Sequence, residues 1–118
     1  PEMSRGLGDV YKRQIVQEAI ATFVLVFAIC GLSQVPELND GVGKLLVFGI
    51  IVSIGMSLGG LTGYALNPAR DLGPRIAHAI LPIKGKGSSN FKYGLIVPIF
   101  GPIIGGIVAV LLYNVIPW

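Results

Sequence analysis

The 118-residue chain has one cysteine, one histidine and one tryptophan, and only 13% of its residues are charged, against about 25% in an ordinary soluble domain. A lone cysteine excludes an internal disulfide framework, and together with a lone histidine it excludes an all-protein zinc site within one copy. Cys30 lies in an apolar run and reads as a small hydrophobe. So few charges cannot build a water-facing shell. The 9 Lys and Arg outnumber the 6 Asp and Glu by a net +3, and they are not interleaved with aromatics as a nucleic-acid groove requires. No nucleic-acid partner, metal or cofactor is expected. Apolar length is what the chain has in quantity: 53% of residues are hydrophobic and the mean hydropathy is +0.74. Its 17 Gly and 8 Pro sit within these apolar runs, where small residues let helices approach closely.

The uncharged stretches divide the chain. Residues 15–33 contain one charge, Glu18, and are long enough to cross a bilayer as a helix. A polar turn with Pro36, Glu37, Asn39 and Asp40 leads to a second span over 45–62. Beyond a stretch with Arg70, Asp71 and Arg75 lies an apolar patch too short to span, closed by Pro82, which reads as a half-helix over about 67–81. A basic, small-residue loop over 84–92 then gives way to an uncharged run that supplies a third span over about 93–117, with Tyr93 and Trp118 placed as interfacial anchors. The expected fold is therefore all-α and membrane-embedded, three transmembrane helices plus one re-entrant half-helix. The lipid bilayer is its first partner. Gly55 and Gly59, Gly59 and Gly63, and Gly101 and Gly105 each stand four apart, a spacing that predicts close helix contacts. Pro98 and Pro102 are expected to kink or begin the last helix. Residues 1–14 are polar, carry five charges and lack a signal-peptide core, so they are set apart as a foreign segment or a disordered arm.

The most specific feature is the run from Gly63 to Asp71, Gly-Tyr-Ala-Leu-Asn-Pro-Ala-Arg-Asp, caught between membrane segments. Asn67 is a favoured N-cap and Pro68 a favoured first helical residue, so a helix N-terminus is expected at membrane depth. Irregular backbone over 62–66 at that depth is tolerated only where protein buries it or a watery cavity hydrates it. A water-lined path is the economical explanation. The helix N-terminus and Arg70 both place positive charge in that path, opposing cations and favouring neutral solutes. Of the other ionisable groups at membrane depth, Asp71 and Arg75 neutralise each other on the bland reading. Glu18 is expected to satisfy backbone N–H groups and hold the 63–66 strand open.

At these residues the chain resembles the aquaporin or major intrinsic protein family, through Asn67-Pro68-Ala69 followed by Arg70. Asp71 directly after the arginine, Arg75 four residues later, and Pro98-Ile99 in the last helix resemble its glycerol-conducting branch. Where water-selective members have a constricting histidine this chain has Gly55, and where they often have cysteine it has Tyr64. The likeness implies a wider, partly aromatic constriction formed by Arg70 and Tyr64, with Gly55 making room. It implies Asn67 as a hydrogen-bond donor, and the carbonyls of Thr62, Gly63, Tyr64 and Ala65 as acceptors for passing hydroxyls. Ile51 and Val52 are weaker candidates for the apolar wall. It further implies a passive channel for glycerol, other small neutral solutes and water in a bacterial plasma membrane, a homo-tetramer, and a fold of two inverted halves. This chain matches the second half, so an N-terminal half is expected as a partner. Tyr64 departs from the Phe of many bacterial glycerol facilitators, adding a hydroxyl at the filter.

Eight of the nine Lys and Arg lie in 1–14 or 63–92, on one side of the membrane, and positive-inside counting makes that side cytoplasmic. The family likeness places the 63–92 connection outside, and the likeness is preferred. The rival to a channel is a non-conducting three-span accessory membrane protein, with a secondary transporter third. Enzyme chemistry is not expected: Gly85-Lys86-Gly87-Ser88 lacks phosphate-loop spacing, and His78 has no evident nucleophile partner.

Overall fold

The computed structural model describes the backbone of residues 2–118 and the side chains of residues 8–118. Four helices follow in order: α1 (Glu2–Leu32), α2 (Asp40–Leu58), α3 (Pro68–Ile80) and α4 (Phe91–Val115), with no strand among the described residues. Gly8–Leu32, Asp40–Leu58 and Phe91–Val115 are long and apolar enough to cross a bilayer, an 18-residue stretch within each averaging a hydropathy of 2.2, 2.0 and 2.6. At about 1.5 Å per residue, the 25 residues of α4 exceed a hydrocarbon core of about 30 Å. The 13 residues of α3 do not, so it is a half-helix, as the sequence predicts.

Helix boundaries follow local chemistry more closely than apolar runs do. Asn39 caps α2 by accepting from the Gly41 N–H at 2.9 Å, and Asp40 pairs with Lys44 at 2.7 Å one turn on. The charged residues that the sequence reading leaves in the loop therefore form the first turn. At its other end α2 stops at Leu58 with Gly59 as C-cap, short of the expected 62. Helix α1 is unbroken from Glu2, so residue 15 is not a helix boundary, and the Tyr11 ring lies 6.2 Å from that of Tyr93 on α4. Pro98 and Pro102 lie inside α4 rather than at its start.

Helix α1 packs chiefly on α4, while α3 rests on α4 and α2 on α1. The α4 face that is buried runs Gly94, Val97, Pro98, Gly101, Pro102, Gly105 and Ala109, a stripe at three- and four-residue spacing. Across from it α1 buries Glu18, Ala21 and Thr22. A Cβ at Gly101 would stand 2.6 Å from the Cβ of Glu18, and one at Gly105 would overlap the Ala19 carbonyl. The Gly101–Gly105 spacing thus produces backbone-to-backbone contact, as expected. Gly63 does not extend such a seam: it lies outside any helix, and a Cβ there would meet nothing within 4 Å.

Candidate functional site

The segment between α2 and α3 is irregular, and its shape is held from α1. Gly63, Tyr64 and Leu66 have positive φ (68°, 46° and 58°), a conformation costing a non-glycine residue about 1 kcal/mol or more. Glu18, fully buried, offsets that cost. Its Oε1 accepts from the Ala65 N–H at 3.0 Å and from the Thr62 hydroxyl, and its Oε2 accepts from the Leu66 N–H at 2.7 Å. Backbone donors that no ladder could satisfy are paired by one carboxyl group.

Helix α3 begins where this segment ends. Asn67 is extended, and its Oδ1 accepts from the N–H groups of Ala69 (2.8 Å) and Arg70 (3.3 Å), with Pro68 in the first turn. With the amide oxygen engaged at the cap, the Asn67 side chain has its NH2 donors left to offer. Arg70 folds back: Nη1 donates to the carbonyls of Tyr64 (2.8 Å) and Ala65 (3.2 Å), and its guanidinium carbon lies 5.3 Å from the Tyr64 ring centroid. Two of the four expected acceptor carbonyls are therefore already bonded within the chain, each retaining a second lone pair. The Tyr64 ring lies on the last turn of α2. A Cβ at Gly55 would stand 2.9 Å from Tyr64 Cζ, and one at Gly59 2.8 Å from Tyr64 Cδ1. The room that Gly55 makes is filled by the Tyr64 ring.

Two cavities meet at Ala65 and Arg70. The smaller, about 240 Å³, is lined by Leu25, Ile51, Tyr64, Ala65, Leu66, Asn67 and Arg70. One wall offers donors and acceptors, and Leu25 with Ile51 supplies an apolar side; Val52 is not part of it. The larger, about 560 Å³, reaches the polar residues Thr62, Asp71, Arg75, His78 and Ser89 together with Gly63. Asp71 and Arg75 form a two-pronged pair at 2.8 and 2.9 Å, and Arg75 Nη1 also donates to the Ser89 carbonyl at 2.8 Å. That geometry matches the neutralising reading of the pair. His78 Nδ1 meets Ser89 Oγ at 2.7 Å, and Lys86 Nζ donates to the carbonyls of His78, Ala79 and Leu81 at 2.8–2.9 Å, capping the C-terminus of α3. Pro98 is buried on α4 and Ile99 half-buried beside it; neither lines either of these two cavities.

The sequence reading brings together Asn67, Arg70, Tyr64, Ala65, Gly63 and Thr62 at one site, and it misses Leu25, Gln17 and Lys86. Leu25 had a signal: it stands seven residues after Glu18, on the same face of α1. Gln17 donates to the Leu58 carbonyl, far away in sequence, where no sequence pattern marks it, whereas Lys86 caps α3 from a few residues beyond its end.

The chain is 56% identical to a glycerol uptake facilitator protein of Bacillus subtilis over 85% of its own length and 36% of the relative's. It is 50% identical to glycerol uptake facilitator protein 3 of Lactiplantibacillus plantarum (91% and 44%), and 54% identical to a probable glycerol uptake facilitator protein of Thermotoga maritima (88% and 44%). The chain thus spans less than half the length of these curated relatives. No solved structure matches it. The family described as Major intrinsic protein matches residues 5–113. With its three apolar spans and its capped half-helix, the chain belongs to the major intrinsic protein family, whose members are integral membrane channels and not enzymes.

Proposed function

We propose that this chain forms the second half of a passive channel that conducts glycerol, other small neutral solutes and water across a bacterial plasma membrane. The observation that carries this reading is the two-faced cavity at the start of α3. Asn67 and Arg70 offer N–H donors, the Tyr64 and Ala65 carbonyls offer acceptors, and Leu25 with Ile51 faces them with hydrocarbon. A polyol suits such a lane, because its hydroxyls exchange water for this ladder while its carbons lie on the apolar side. The N-terminus of α3 and the Arg70 charge oppose cations in the same place. Nothing in this transport requires a bond to be made or broken. The relatives' names, glycerol uptake facilitator, support the choice of solute.

Asn67 and Arg70 are exposed on one side of the chain, and the expected inverted half would close the lane there, with four such subunits assembling around an axis. That open side favours a second reading for the chain by itself, as a non-conducting three-span membrane protein. The test is glycerol equilibration in proteoliposomes holding the native assembly that contains this chain. At least about tenfold faster equilibration than in empty vesicles is expected, and rates equal to those of empty vesicles would overturn the channel reading.

A further inference from the structure

Gln17 is a polar side chain in a membrane span, where an amide must find a partner within the protein. It finds one across the bundle: Nε2 donates to the carbonyl of Leu58, the last residue of α2. No backbone N–H outside the helix ladders donates to that carbonyl among the described residues, so the side chain takes the place of a missing turn of helix. The next residue on α1 is Glu18, which holds the Ala65 and Leu66 N–H groups. Successive helical residues point about 100° apart, so the two side chains reach different elements from one place on α1.

What lies between those elements is the Tyr64 ring. Its backbone belongs to the segment that Glu18 holds, and its face rests on Gly55 and Gly59, the turn that Gln17 holds. Arg70 stands over the ring, 5.3 Å from its centroid. We propose that Gln17 is a positioning residue for solute selection: by tying the end of α2 to α1 it fixes the floor under Tyr64, and so sets the opening between Tyr64 and Arg70. The inference rests on the channel reading and adds a residue that lines neither cavity of the site. Without the tie, the Gly55–Gly59 turn is free to move away from the segment that Glu18 still holds. The ring follows its floor, and the opening grows.

The test compares glycerol with a longer linear polyol, ribitol, in stopped-flow measurements on proteoliposomes of the native assembly. Gln17→Met keeps the side-chain length and removes the donor. The ribitol-to-glycerol permeability ratio is expected to rise about threefold, and to rise further in Gln17→Glu, which sets an acceptor against the Leu58 carbonyl. Gln17→Lys, which retains an N–H donor of similar reach, keeps the ratio of the unsubstituted protein. A merely structural Gln17 lowers both permeabilities together, so a ratio that stays level or falls in Gln17→Met overturns the proposal. Should Gln17→Met fail to assemble, equal ratios in Gln17→Glu and Gln17→Lys overturn it instead. Unsubstituted protein that passes neither solute removes the channel reading, and this inference with it.

Discussion

The α1–α4 seam and the segment leading into α3 lie side by side and are held by opposite means. At the seam, Gly101 and Gly105 bring two backbones together, and shape decides: a single added carbon meets main chain that cannot yield. At the 62–66 segment shape decides little, since a Cβ at Gly63 would touch nothing. There the backbone is irregular, and the Ala65 and Leu66 N–H groups are each satisfied by Glu18. Glu18 belongs to both regions, because its Cβ is packed against Gly101 while its carboxyl group serves the segment. The lesson is a division of labour. Tight apolar packing supplies a rigid wall, and hydrogen bonds from that wall hold open a stretch of backbone whose polar groups then face a cavity.

This comparison can be broken from either side. The largest loss is expected for Glu18→Leu, which strands the Ala65 and Leu66 N–H groups in a buried place at a cost of about 4 kcal/mol. Unfolding in detergent micelles measures it, and a loss below about 1 kcal/mol would mean that the segment holds itself. Next comes Gly105→Val, whose side chain overlaps the Ala19 carbonyl; about 3 kcal/mol is expected in the same assay, and wild-type stability would show that the seam can open freely. Arg75→Lys removes the two-pronged bond to Asp71 and should lower the melting free energy by about 1 kcal/mol. Gly94→Ala sharpens the contrast with Gly105, since the atoms nearest its Cβ belong to the Arg75 side chain rather than to main chain, and Arg75 can give way by releasing Asp71 and Ser89. A cost of about 1 kcal/mol, like that of Arg75→Lys, is expected there, and a cost equal to that of Gly105→Val would refute the distinction between yielding and unyielding neighbours. Smallest is Lys86→Met, which uncaps α3 for about 0.5 kcal/mol, visible as faster amide exchange at the end of α3 with little change elsewhere.

Much of the wall and the start of the half-helix was legible in the sequence, for different reasons. Three uncharged runs of spanning length mark α1, α2 and α4 because a bilayer admits little else. Asn67-Pro68 marks the start of α3 because a cap and a first-turn proline are local requirements. The bonding of Glu18 was legible because a buried carboxyl needs partners and the irregular segment has donors to give. Other features were not. Pro98 and Pro102 sit inside α4, since their rings pack in a buried stripe of small residues, and hydropathy does not register that fit. The end of α2 falls at Leu58, although the residues beyond it are uncharged, because the chain turns through Gly63, Tyr64 and Leu66 at positive φ. Gln17 and Leu25 escaped because each acts across the fold, on a carbonyl or a cavity far away in sequence, while the cap that Lys86 places on α3 depends on how the 81–86 loop folds back.

The central claim is that the Tyr64–Arg70 edge of the segment selects what passes. Replacing Arg70 by Val in the native assembly, then measuring glycerol, water and ion permeability on the same vesicles, tests it most directly. The account predicts altered glycerol and water permeabilities together with a rise in cation leak, because Arg70 both orients the Tyr64 and Ala65 carbonyls and supplies positive charge at the opening. Three unchanged permeabilities would contradict it.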